Sequence, residues 1–93
     1  MTDTDWNAFC DTYRNEGYTE FVAKPWAADL RLDTHEHAFD VQARVVQGEM
    51  WLESEGQVQH LSAGDRFSLS AHVPHRERYG AEGTLVWIAR RPV

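Results

Sequence analysis

Apolar residues recur along this chain with two different periods. Near the start, Trp6, Phe9, Cys10 and Tyr13 fall three or four apart and form one stripe of a short helix. Thr4 or Asp5 can cap that helix, because either side-chain oxygen can accept a free first-turn N–H. Gly17, after Asn15-Glu16, can take the left-handed conformation that closes it. The helix is therefore placed within residues 1–16. From residue 18 the period drops to two. Residues 18–23 are rich in β-formers and are closed by Lys24-Pro25. Residues 29–34 set Leu30 and Leu32 on one face against Arg31 and Asp33 on the other. Residues 41–46 form a strand that ends at Gly48. Residues 49–53 and 57–61 pair as a hairpin across Ser54-Glu55-Gly56. Ala63-Gly64-Asp65 is a turn, and Phe67 with Leu69 marks the strand after it. Residues 84–89 are apolar on both faces, as expected of a central strand covered on both sides. Seven or eight short strands with regular turns predict an all-β sandwich or small barrel over residues 18–91.

Composition narrows the class. The 93 residues make one domain, spanning 1–93, with a single core. Nine Lys and Arg against fifteen Asp and Glu give a net charge of −6, which disfavours nucleic acid and anionic lipid as partners. A hydrophobic content of 42% argues against disorder. The one cysteine, Cys10, lies on the helix stripe as a buried apolar filler, and it excludes an internal disulfide. No apolar run has the ~20 residues needed to span a bilayer, and the acidic start lacks a secretory pattern. The expectation is a cytoplasmic protein.

Candidate chemistry lies in the histidines. In His35-Glu36-His37 two imidazoles stand two residues apart, so on an extended strand they share a face. A third arrives from Val73-Pro74-His75, beyond the turn at Gly64-Asp65. Neutral histidine is the commonest ligand for Zn, Fe, Mn, Ni and Cu. His60, at the end of a hairpin strand, is expected to be exposed. Trp51 and Trp87 are assigned to core or dimer packing.

The run His35-Glu36-His37-Ala38-Phe39-Asp40, followed after seven residues by Gly48, resembles the first motif of the cupin superfamily. The run Gly64-Asp65, then Ser70-Ala71-His72-Val73-Pro74-His75, resembles the second. The resemblance covers residues 20–90 and is closest to small single-domain bacterial cupins with a leading Trp-containing helix. It implies a cupin-type double-stranded β-helix (jelly-roll barrel) with a short N-terminal helix. It also implies one divalent transition metal (Fe, Mn, Ni or Zn) held by His35, His37, Asp40 and His75. Asp40 stands where the family has glutamate, one methylene shorter. Ser70 and His72 replace the family's proline and glycine, and Tyr79 its asparagine, so no substrate carries over.

Facing is ambiguous at two places. Strict alternation from Leu30 and Leu32 puts His35 and His37 on the face of Arg31 and Asp33, so either the strand is kinked between Asp33 and His35 or the pocket end of the barrel is polar. On the next strand, Asp40 inward brings Gln42 and Arg44 inward as well, and this is the arrangement expected here. If the valines point inward instead, the ligands are three histidines plus water, since a one-residue slip exchanges the faces. Gln42, Arg44, His72 and Tyr79 are the candidate pocket residues. Arg44 would pair with a substrate carboxylate, and His72 would serve as a further ligand or proton shuttle. Open metal positions fit a metal-dependent enzyme, of dioxygenase or isomerase type, acting on a small polar molecule. The alternative is a non-catalytic module that binds or senses a small ligand. Uncovered edge strands suggest a homodimer.

Overall fold

The computed structural model describes residues 2–93. One helix, α1 (Asp3–Arg14), precedes eight strands. These are β1 (Glu20–Trp26), β2 (Arg31–His35), β3 (Phe39–Gln47), β4 (Glu49–Ser54), β5 (Gln57–Ser62), β6 (Arg66–Leu69), β7 (His75–Tyr79) and β8 (Thr84–Pro92). They form two four-stranded antiparallel sheets, β1-β8-β3-β6 and β2-β7-β4-β5, packed face to face. The strand pattern predicted a sandwich or small barrel, and this is the jelly-roll form of it that the resemblance implied.

The main core lies between the sheets. Val41, Ala43 and Val45 from β3 meet Met50 and Leu52 from β4, with Leu61, Leu69, Tyr79 and Val86 completing it. A second core lies on the outer face of the β1-β8-β3-β6 sheet, where the helix lays Phe9, Cys10 and Tyr13 on Val46, Trp87 and Ala89. β8 is thus covered on both faces, as its unbroken apolar run requires. Trp87 sits in this helix-covered core, 5.2 Å edge-on from Trp6.

Three local features differ from the sequence expectation, the first being β7, a strand over His75–Tyr79 that the patterning did not place. The helix cap is Thr2, not Thr4 or Asp5. Thr2 and Asp5 make a reciprocal capping box that satisfies two free N–H groups at once. β1 does not stop at Lys24-Pro25 but runs through to Trp26. It is an edge strand, where a residue without an N–H breaks no ladder. Gly48 is at φ +79°, and a Cβ there would overlap the Gly83 carbonyl oxygen, so glycine is required between β3 and β4. No helix among the described residues is long and apolar enough to cross a membrane.

Candidate metal centre

A bulge builds the site. β2 pairs Leu32 with Glu77 and then His35 with His75, so three residues of β2 span what two residues of β7 span. The extra residue reverses the alternation between Leu32 and His35, and both side chains face the interior. Of the two alternatives that the alternation left open, this is the kink, with the irregularity falling between Leu32 and His35. His37 follows in the link to β3, and the His72 N–H donates to its carbonyl at 2.7 Å, tying the two loops together.

The rings of His35, His37 and His75 lie with centroids 4.4–5.0 Å apart. One ring nitrogen from each falls within 4.8 Å of the others. The backbone sets two of the tautomers. His35 Nδ1 donates to the Asp33 carbonyl at 2.7 Å, and His75 Nδ1 donates to the Val73 carbonyl at 3.0 Å. Each Nε2 is then left with a free lone pair, the form in which imidazole binds a metal. His75 is 2% exposed, yet its Nε2 has no hydrogen-bond partner. Glu77 Oε1, at 3.5 Å, is too far to satisfy it. A buried, oriented and unsatisfied lone pair beside two more imidazoles fits a transition metal of the Zn, Fe or Ni type. Burial, with His75 and His35 alongside, pushes His37 below its ordinary value, which favours the neutral form that ligates a metal.

Asp40 is not in this group. On β3 the valines point inward, so Asp40 faces outward opposite its cross-strand partner Arg91. One carboxylate oxygen accepts from Arg91 Nη2 at 2.8 Å and the other from the Ala71 N–H at 2.8 Å. These two bonds hold its carboxyl below the usual range. Gln42 and Arg44 share the outward face, paired across with Ala89 and Trp87 on the helix side of the sheet. His72 is an exposed turn residue at φ +64°, with its ring 3.6 Å from Glu36. Of the four candidate pocket residues, Tyr79 alone lines the cavity beside the histidines.

That cavity is about 100 Å³ in volume. Its walls are apolar, with Trp26, Phe39, Phe67 and Ile88 among them, and Tyr79 stacks on Trp26 at 4.8 Å. Glu77 and Arg90 also reach it, and neither was singled out from the sequence. The signal for Glu77 is alternation along His75-x-Glu77-x-Tyr79, which puts all three on one face. The Tyr79 hydroxyl donates to Glu77 Oε2, and burial with this carboxylate raises the phenol's pKa far above its ordinary value. His60 is exposed on β5, where it stacks on Trp51 and bonds Glu49. Trp51 lies on the outer face of its sheet under Arg78, and not in the core.

No protein-family model and no curated protein matches this sequence. Solved structures do match. KdgF from Halomonas sp. is 28% identical, with a TM-score of 0.71 over 78% of this chain and 67% of that one. An RmlC-like cupin from Shewanella frigidimarina is 23% identical, with a TM-score of 0.72 over 83% and 68%. A Rhizobium leguminosarum protein of unknown function is 15% identical, with a TM-score of 0.71 over 100% of this chain and 95% of that one.

Proposed function

Starting from a double-stranded β-helix fold shared with solved cupin structures, we propose that the chain is a metal-dependent enzyme of cupin type acting on a small polar molecule by proton transfer, as in an isomerase. His35, His37 and His75 are the proposed ligands of one divalent transition metal. The observation that carries the reading is the unsatisfied Nε2 of buried His75, oriented by its own backbone toward two further imidazoles. A metal bound there would supply Lewis-acid polarisation of a substrate oxygen.

The chain's own residues favour proton transfer over oxygen chemistry. Glu77 is the acid–base group of the cavity, and the Tyr79 hydroxyl fixes its rotamer and stabilises its charge. Tyr79 stays protonated through the whole working range, so it serves as donor and never as base. The apolar wall excludes water from a carbanion-like substrate. We also infer a single-domain unit, 1–93, that pairs as a homodimer through its sheet edges, which are β1 and β6 in one sheet and β2 and β5 in the other.

The test begins with elemental analysis and calorimetric metal titration of untagged protein. His37→Ala and His75→Ala should abolish binding, whereas His60→Ala should not. Equal losses in all three would refute the ligand set. Metal-loaded protein is then incubated in D₂O with keto-sugars, diketones and 2-oxo acids. Deuterium wash-in that is lost in Glu77→Gln supports the proton-transfer reading. Oxygen consumption without exchange would move the chemistry to dioxygenation, and saturable binding without either would make the protein a binding module.

A further inference from the structure

The imidazoles and the Glu77–Tyr79 pair leave one polar group of the cavity without a role. Along β8, Val86, Ile88 and Arg90 oppose Val45, Ala43 and Val41, so alternation places an arginine at the end of the inward row. Arg90 lines the cavity together with His35 and His37. Its guanidinium carbon lies 5.1 Å over the Phe39 ring, which itself stacks on His37 at 4.7 Å. Its Nε is buried and has no hydrogen-bond partner. Among the described residues the one acid paired with it is Glu20, on edge strand β1, at 3.8 Å from Nη1 and 59% exposed. A guanidinium is charged at every working pH and presents a planar fork of donors. Desolvating an Nε–H without an acceptor costs free energy that an incoming oxyanion would recover.

We propose that Arg90 anchors the carboxylate of the cavity's ligand, and that the site takes short-chain monocarboxylates. This rests on the reading that the histidine cavity is the ligand site. Three features select the class. The fork matches a carboxylate bidentately. Glu77, on the same cavity wall, repels a second negative charge on the ligand. The volume of about 100 Å³ is well under the ~300 Å³ of the smallest drug-sized sites, so the carbon body has only a few atoms. That body lies against Phe39, Phe67 and Ile88, with its remaining polar function toward the imidazoles.

The test uses butanoate, 2-oxobutanoate and the neutral isostere butanamide, titrated calorimetrically into the full chain with zinc and, separately, with chelator. Butanoate should bind at least about tenfold more tightly than butanamide, the factor expected for one desolvated charge-assisted contact. Arg90→Met should erase that preference. Glu20→Gln removes the competing acid at an exposed position, does not threaten folding, and should tighten butanoate binding. Equal affinity for butanoate and butanamide, or unchanged binding in Arg90→Met, or weaker binding in Glu20→Gln, overturns the proposal. Zinc uptake without an Arg90-dependent preference sinks the anchor and leaves the metal centre standing. Arg90-dependent butanoate binding in chelator, with no zinc uptake, keeps the anchor and sinks the metal centre.

Discussion

Tyr79→Phe removes one oxygen atom from the middle of the barrel and tests how the cavity's polar pair is held. Tyr79 is 2% exposed, and the Glu77 side chain that accepts its hydroxyl is 10% exposed. The stack of the ring on Trp26 survives the change, so packing is nearly constant. What disappears is a hydrogen bond to a buried carboxylate, a class worth about 1.5–3 kcal/mol when the acceptor cannot reach water. A loss near ~2 kcal/mol should lower the melting temperature by about 8–16 °C in a domain of this size. The pH dependence tests whether the phenol is held neutral in the folded protein. The folded-state pKa of Tyr79 is raised above its ordinary value of 10.0. Its contribution is therefore fully present below pH 10, and it fades above that as the unfolded chain releases the phenol proton. Urea denaturation of both proteins at pH 7.5, 9 and 10.5 should show a constant gap at the first two values and a narrower one at the third. A loss below about 0.5 kcal/mol at pH 7.5, where a buried unsatisfied acceptor should cost more than 1, would mean that water already satisfies Glu77. A gap that stays constant to pH 10.5 would mean that the folded phenol titrates like the unfolded one, and would refute its burial beside Glu77.

Three further outcomes are expected. Metal-free protein should lose stability as pH falls below 6.5, because unfolded His37 takes up a proton before the folded residue does; the slope should flatten in His37→Asn, and an identical slope in both would contradict the burial argument. Asp40→Asn should leave metal stoichiometry and affinity unchanged while lowering stability, measured by elemental analysis and thermal melting; a lost metal would restore Asp40 as a ligand. Gly56→Ala, at φ +77° with open space around it, should cost about 1 kcal/mol of left-handed strain, and Gly48→Ala, which also meets the Gly83 carbonyl, should cost more than twice that by urea denaturation; equal losses would mean that the β3–β4 turn yields.

Seven of the eight strands and the sandwich architecture were readable from period-two patterning, because the face of each strand that meets the opposite sheet is apolar; β7 (His75–Tyr79), whose inward row is His75, Glu77 and Tyr79, has no such apolar row and was not placed. The unbroken apolar run of β8 likewise announced a strand covered on both sides, which Val86 in the main core and Trp87 under the helix explain. The three histidines were readable because their spacing fits a strand and their order fits the two motifs. Side-chain facing beyond them was not. On β3, Asp40-x-Gln42-x-Arg44 and Val41-x-Ala43-x-Val45 are equally regular, and the choice depends on which row has a partner. The helix surface and Arg91 receive the first row and the opposite sheet receives the second, and neither partner is near in sequence.

The bulge in β2 has the same character and larger consequences. Nothing local in Leu32-Asp33-Thr34-His35 marks an extra residue, since neither glycine nor proline is present. Its cause lies in the pairing with β7. Leu32 must face the core, and His35 must stand opposite His75 at the open end of the sheet. Two residues of β7 separate those contacts and three of β2 must cover the same distance, so the surplus residue is pushed out of the ladder. The same step brings the Asp33 carbonyl to His35 Nδ1 and leaves Nε2 free. Register, facing and tautomer are thus fixed by one irregularity, and the chemistry of the site depends on a strand that breaks its own alternation.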